Sequence, residues 1–169
     1  MRNIAIGLLI VVFASLLIEP LVEVINAMRE RIVLNTSVNN AFRSARDRSL
    51  EYSLMRNLDA SVDREKFVDY FSDAFESAMD LTRTGGDDHQ LTFTPNNPDK
   101  YNEFVVTLTF EVTEGSVTDP EIRQKEEVTV DVESAYKFKT KYLKLAEAAG
   151  KDVNYKLVAH KKYELSVKN

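Results

Sequence analysis

The spacing of hydrophobic and polar positions changes along this 169-residue chain, and each change marks a new predicted element. Residues 4–18 are all apolar or small, which predicts a helix that is apolar on every side. Polar side chains then recur at offsets of four, three and four residues, the spacing of one helical face. These positions are Glu19, Glu23, Asn26 and Glu30. The helix is therefore expected to continue past the apolar run and to become amphipathic.

The amphipathic pattern continues to residue 58, with two expected irregularities. Pro20 lacks a backbone donor, which predicts a kink near the end of the apolar run. Residues 35–40 are rich in Asn, Ser and Thr, which favour caps and turns and predict a break or a looser turn. The sequence thus predicts a membrane anchor helix over residues 1–28 and an amphipathic helical stalk over residues 29–58.

Residues 59–169 are predicted to form an extracytoplasmic α+β domain. Aromatic and small apolar residues first recur at helical spacing, and Gly85-Gly86 is expected to end that helix. From residue 90 onward the period becomes two, which predicts strands. Residues 143–149 before Gly150 also fit a short helix. The predicted fold class is α+β, with a long, partly transmembrane N-terminal helix and a second helix packed on an antiparallel β-sheet.

The apolar N-terminal run allows three interpretations. Residues 4–18 span about 22 Å as a helix, less than the roughly 30 Å hydrocarbon core, but extension through residue 28 gives ample length. A signal peptide cleaved after Ala14 would be short, and a buried helix of a soluble domain would not need apolar residues all round. An uncleaved signal-anchor is favoured. Arg2 then stays in the cytoplasm, which predicts a single-pass cell-membrane protein with an extracytoplasmic C-terminal domain.

Charge is distributed unevenly around a net value of −5. Residues 59–133 hold nineteen acids against six bases, whereas residues 137–168 hold nine lysines against three acids. These blocks are either solvated faces or surfaces that meet, within one subunit or between neighbours. The acidic balance gives no reason to expect nucleic-acid binding, and the absence of cysteine excludes a disulfide framework.

Motifs for catalysis are missing from the sequence. It contains no Gly-x-Ser-x-Gly elbow, phosphate loop or dinucleotide-binding glycine motif. The run Asp87-Asp88-His89 is better explained as a loop than as a metal site, because three adjacent side chains cannot all face one cation. His160 has no evident partner. The chain is expected to be no enzyme and to bind no cofactor, metal or small-molecule substrate.

An apolar N-terminal helix that becomes amphipathic and is followed by an antiparallel sheet resembles the type IV pilins and pseudopilins, including Tad-type pilin-like proteins. Pro20 corresponds loosely to the proline common in the first helix of that family. The family's processing-site glycine and the glutamate five residues into the mature helix have no counterpart, since Ala5 occupies position 5 and no glycine precedes the run.

The resemblance implies a structural or assembly subunit of a cell-surface filament or secretion apparatus. The implied partners are the lipid bilayer and either further copies of the chain or other envelope subunits. Helix–helix assembly is expected to involve Glu19, Pro20, Glu23, Asn26 and Glu30. The alternative is a membrane-tethered extracytoplasmic binding module or a subunit of a larger envelope complex.

Overall fold

A computed structural model describes residues 2–52, 60–114, 124–150 and 155–168. It confirms the α+β class: a long N-terminal helix and a second helix accompany a five-stranded antiparallel sheet. The helices are α1 (Arg2–Ser49), α2 (Arg64–Met79) and α3 (Lys141–Ala148). The strands are β1 (Leu50–Tyr52), β2 (Ala60–Val62), β3 (Leu81–Gly86), β4 (Gln90–Pro95), β5 (Phe104–Glu114), β6 (Gln124–Ala135) and β7 (Lys156–Lys168).

Helix α1 runs without interruption for 48 residues, so the predicted break at residues 35–40 is wrong. Two of the polar side chains there bond back to the preceding turn of the same helix instead of ending it. The Asn35 amide donates to the Arg31 carbonyl at 2.8 Å, and the Thr36 hydroxyl donates to the Ile32 carbonyl at 2.9 Å. Burial of Val38 in the core favours the helical conformation still further.

The two halves of α1 have different surroundings. The large apolar side chains that the structure describes between Ile4 and Ile18 are exposed, from 75% at Ile4 down to 48% at Val12. In the second half one stripe is buried in the core of the domain. Its members are Ala27, Leu34, Val38, Ala41, Phe42 and Ala45. Phe42 stacks on Tyr163 of β7 with the ring centroids 3.8 Å apart, so this half belongs to the folded body.

The end of α1 departs from the predicted helical stalk over residues 29–58. The helix ends at Ser49, and β1 pairs antiparallel with β2. The Ser49 carbonyl accepts a hydrogen bond from the Asp63 amide at 3.2 Å, which brings the start of α2 against the end of α1. Tertiary pairing thus replaces the helical pattern at residues 50–52, and residues 53–58 lie outside the described residues.

Helix α2 is bounded by two aspartates. The Asp63 carboxylate accepts from the Lys66 amide at its start, and Asp80 adopts the left-handed conformation, φ 58°, at its end. Gly85 and Gly86, predicted to end this helix, instead belong to β3. Gly86 has φ 108°, and a Cβ there would lie 2.0 Å from the Gln90 carbonyl oxygen, so the glycine serves the β3–β4 hairpin.

The sheet is a meander of order β3-β4-β5-β6-β7, and α2 covers its apolar face. The Phe75 ring of α2 meets the rings of Phe93 and Phe104 edge to face, with centroids 5.2 and 6.2 Å apart. The predicted short helix before Gly150 is confirmed as α3. The period-two pattern after residue 135 does not form a strand, because the chain leaves the sheet there and turns towards α1.

The acidic and lysine-rich blocks meet within one chain along β6 and β7. Lys162 pairs with Glu127 at 2.9 Å and with Glu111 at 3.2 Å, and Lys156 pairs with Glu133 at 3.0 Å. The strand register places each β7 lysine diagonally across from its β6 partner: Lys162 is opposite Thr129, two residues from Glu127, and Lys156 is opposite Ala135, two residues from Glu133. Exposed pairs of this kind contribute little to stability, because water screens the charges. They are consistent with the register of the sheet, whereas most of its stability comes from the apolar side chains on its buried face.

Candidate functional site

Glu23 joins α1 to the segment that links β6 to α3. Glu23 is one of the few buried polar residues in the described part of the chain, and only 4% of it is exposed. One carboxylate oxygen accepts from the Tyr136 hydroxyl at 2.7 Å and from the Lys139 amide at 2.9 Å. The other accepts from the Thr140 amide at 2.7 Å. Three donors directed at one carboxylate match its ionised form and fix α1 against the domain.

Tyr136 keeps its proton in this arrangement. Burial raises the pKa of its phenol, and the hydrogen bond to the Glu23 carboxylate raises the pKa further. The hydroxyl therefore acts as a permanent donor over the physiological pH range. Its ring packs edge to face against Phe138, with centroids 5.5 Å apart, which holds the hydroxyl in position.

A second acid of α1 contacts the same segment two turns later. Glu30 pairs with the Lys139 ammonium at 3.2 Å, and that ammonium also donates to the Lys100 carbonyl. Burial raises the pKa of the Glu30 carboxyl, and the charge of Lys139 opposes that rise. Burial also raises the pKa of the neighbouring Tyr101 phenol, and the charge of Glu30 adds to this effect. Lys139 is thus held by α1 through its amide and through its side chain.

The five predicted assembly residues lie where the apolar half of α1 ends, and the structure gives them different surroundings. Glu23 and Glu30 bind the chain's own residues 136–140, which the sequence did not indicate. Pro20 is exposed and borders an apolar groove, Asn26 is half-buried beside a polar pocket, and Glu19 is half-buried. Their contacts with other chains stay a prediction.

The apolar groove lies between α1 and the segment that carries Tyr136. It encloses about 320 Å³ and is almost entirely apolar. Its lining includes Pro20, Val24 and Met28 of α1, with Phe138 and Leu143 opposite. The polar pocket, of about 360 Å³, lies on the other side of Glu23 and contains Asn26, Arg29, Glu30, Lys100 and Lys139.

Groups that could bind a metal ion are not assembled in the described part of the chain. No cluster of three or more His, Cys, Asp or Glu side chains there could hold a metal ion. The Asp87 carboxylate instead accepts from the amides of His89 and Gln90 and closes the β3–β4 turn. His160 contacts Asp131 on the exposed face of the sheet. The absence of enzymatic activity stays a prediction.

Sequence reasoning missed the partners of Glu23, namely Tyr136, Lys139 and Thr140. Tyr136 and Phe138 alternate with lysines, a pattern that favours a strand, and the chain instead uses both aromatic rings to fill the space beside α1. The one available signal was the set of acids on one face of α1 directly after a fully apolar run, because an acid that becomes buried there requires donors from elsewhere.

Comparisons with known proteins add no further constraint. No family model, curated protein or solved structure matches the chain.

Proposed function

We propose that the chain is a non-enzymatic, single-pass membrane protein that serves as a pilin-like structural or assembly subunit. Its N-terminus lies in the cytoplasm and its α+β domain outside. One observation carries this proposal: α1 is a single helix whose first half is apolar and exposed and whose second half is part of the domain core. A helix of this kind joins a membrane segment directly to a surface domain.

The exposed half of α1 needs an apolar environment. It is long and apolar enough to cross a membrane, and none of its most apolar segment is buried in the chain. Residues 4–22 span about 28 Å, close to the roughly 30 Å hydrocarbon core. An apolar surface of this extent is covered in soluble proteins, so a bilayer or the helices of other subunits must cover it here.

A rigid connection between anchor and domain favours an assembly subunit over a flexible tether. The buried stripe of α1 and the bonds to Glu23 and Glu30 leave the described residues without a linker between the two parts. Packing of neighbouring helices would therefore also set the spacing of the domains. A binding module on a tether has no need for such rigidity.

The mature N-terminus provides the first test. We expect intact-mass measurement of the membrane-extracted protein to give the uncleaved chain, because a signal of fourteen residues is a poor cleavage substrate. A product that begins at Ser15 would remove the apolar half of α1 and contradict the proposal.

Crosslinking within the membrane provides the second test. The chain contains no cysteine, so Gly7→Cys places one thiol in the exposed apolar half, where a Cβ meets no atom within 4 Å. We expect oxidation to give disulfide-linked dimers in native membranes, whereas Val112→Cys on β5 serves as an exposed control outside the membrane segment. A monomeric product from an inserted chain would favour the tethered binding module.

Glu19 provides a graded version of the same experiment. We expect Glu19→Gln to weaken crosslinking through Gly7→Cys, because polar contacts between membrane helices contribute about 1–2 kcal/mol in model systems. Asp47→Asn, on the exposed face of the second half of α1, is the matched control. Equal crosslinking in both variants would show that Glu19 has no part in assembly.

A further inference from the structure

Helix α3 lies beside the turn of α1 at which the apolar half ends. The Thr140 amide, immediately before α3, donates to Glu23 at 2.7 Å. Leu143 of α3 borders the apolar groove together with Pro20 and Val24. The helix formed by residues 4–22 is nearly as long as the hydrocarbon core is thick. If α1 crosses a bilayer with this segment, the hydrocarbon core ends within about one turn of Glu23. This position brings α3 to the level of the lipid headgroups.

The outer face of α3 has the composition of a surface that binds a bilayer. Lys141, Lys144, Leu145 and Ala148 are spaced three and four residues apart, and all four are exposed. Leu145 is 58% exposed and lies on the same face, one residue after Lys144 and one turn after Lys141. Neither lysine forms an ion pair with any of the residues that the structure describes. Other lysines nearby are already paired, as Lys139 is with Glu30.

We propose that this face of α3 binds anionic lipid headgroups of the bilayer that α1 crosses, an inference that rests on the proposed membrane anchoring. The two ammonium groups meet the headgroup phosphates, and Leu145 enters the boundary between headgroups and acyl chains. Attraction to an anionic leaflet changes such an equilibrium about fivefold for each lysine near the surface. The contact would hold the domain in one orientation above the membrane.

The absence of native cysteine makes the test direct. The full chain, with one cysteine labelled by an environment-sensitive fluorophore, is reconstituted into nanodiscs that contain nitroxide-labelled lipid. The label is placed at Leu145→Cys, at Gly7→Cys within the apolar half of α1, or at Val112→Cys. Val112 is also exposed, at 51%, but it pairs with Glu126, about 30 Å along β6 from the end of that strand near α3.

We expect strong quenching at position 7, near-background quenching at position 112, and quenching at position 145 in nanodiscs that contain anionic lipid. Zwitterionic lipid alone, or Lys141→Gln with Lys144→Gln, should reduce quenching at position 145 severalfold and leave position 7 unchanged. Far-UV circular dichroism of the lysine variant checks that the fold is retained.

The outcomes separate the two proposals. Absence of quenching at position 7 would contradict membrane anchoring itself. If position 7 is quenched but position 145 is quenched no more than position 112, the proposed contact of α3 with lipid is overturned and membrane anchoring is not. Quenching at position 145 that is indifferent to lipid charge and to the two lysines would also overturn it, because the contact with the bilayer would then be apolar and would not involve anionic headgroups.

Discussion

Replacement of Phe71 by alanine is expected to lower the free energy of unfolding by about 3–5 kcal/mol. Phe71 is fully buried and lies between two other aromatic rings of α2. Its ring centroid is 6.2 Å from that of Phe67 and 5.9 Å from that of Phe75. Alanine would leave a cavity where α2 packs on the sheet, and the neighbouring rings cannot fill it without leaving their own contacts.

The measurement is thermal unfolding of the full chain in detergent micelles, followed by far-UV circular dichroism. A loss of this size corresponds to a fall in Tm on the order of 10 °C for a domain of this length. Asp73→Ala, on the exposed face of the same helix, should leave Tm nearly unchanged. Equal Tm values for the two variants would refute the assignment of Phe71 to the core.

Local patterns were sufficient to predict the architecture. The fully apolar residues 4–18, the aromatic stripe of α2 and the period-two segments that became β4, β5, β6 and β7 each depend on neighbours in the chain, and each gave the correct element type. The period-two pattern at residues 136–142 is the exception, since no strand forms there. The faces were also correct in the strongest segments. Phe104, Val106 and Leu108 are buried, whereas the residues that alternate with them are half-exposed or exposed.

Contacts between distant residues explain what could not be predicted. The asparagines and threonine at residues 35–40 favour turns in isolation, but packing of Val38 in the core outweighs that preference. The strand at residues 50–52 depends on its pairing with residues 60–62. In both places a tertiary contact decides a conformation that local propensity leaves undecided or assigns differently.

Glu23 shows the same limit at the candidate site. Helical spacing correctly joined it to Glu19, Asn26 and Glu30 on the polar side of an otherwise apolar helix. Its partners follow 113 to 117 residues later in the chain, a separation at which no spacing rule applies. The sequence therefore indicated either contacts with neighbouring subunits or a tethered module, and it indicated no partner for Glu23 within the chain. The structure provides an intramolecular role for this carboxylate.

That role predicts a large effect for Glu23→Ala, which is expected to lower the free energy of unfolding by about 3–5 kcal/mol. The change leaves the Tyr136 hydroxyl and the amides of Lys139 and Thr140 without their acceptor. Each buried donor left unpaired costs about 1–3 kcal/mol, and water entering beside the apolar groove would recover part of the total. Chemical denaturation of the full chain in micelles, followed by tyrosine fluorescence, gives the value.

Two smaller changes at the same site separate the bonds from one another. Tyr136→Phe removes one donor and keeps the ring, so it should cost about 1.5–3 kcal/mol, the range for a hydrogen bond to a charged group. Glu23→Gln keeps the shape but brings an amide N–H₂ towards a backbone donor, so its cost should lie between those of the other two variants. Glu147→Gln, on the exposed side of α3, is the control for loss of a carboxylate.

Amide hydrogen exchange distinguishes local detachment from global loss of stability. If Glu23 fastens α1 to residues 136–140, Glu23→Ala should accelerate exchange at the amides of Lys139 and Thr140 far more than in the middle of β6. Uniform acceleration would indicate general destabilisation instead, and unchanged exchange at both sites would refute the role. Since this bond joins the apolar half of α1 to the domain, its loss would also weaken the rigid connection between the two.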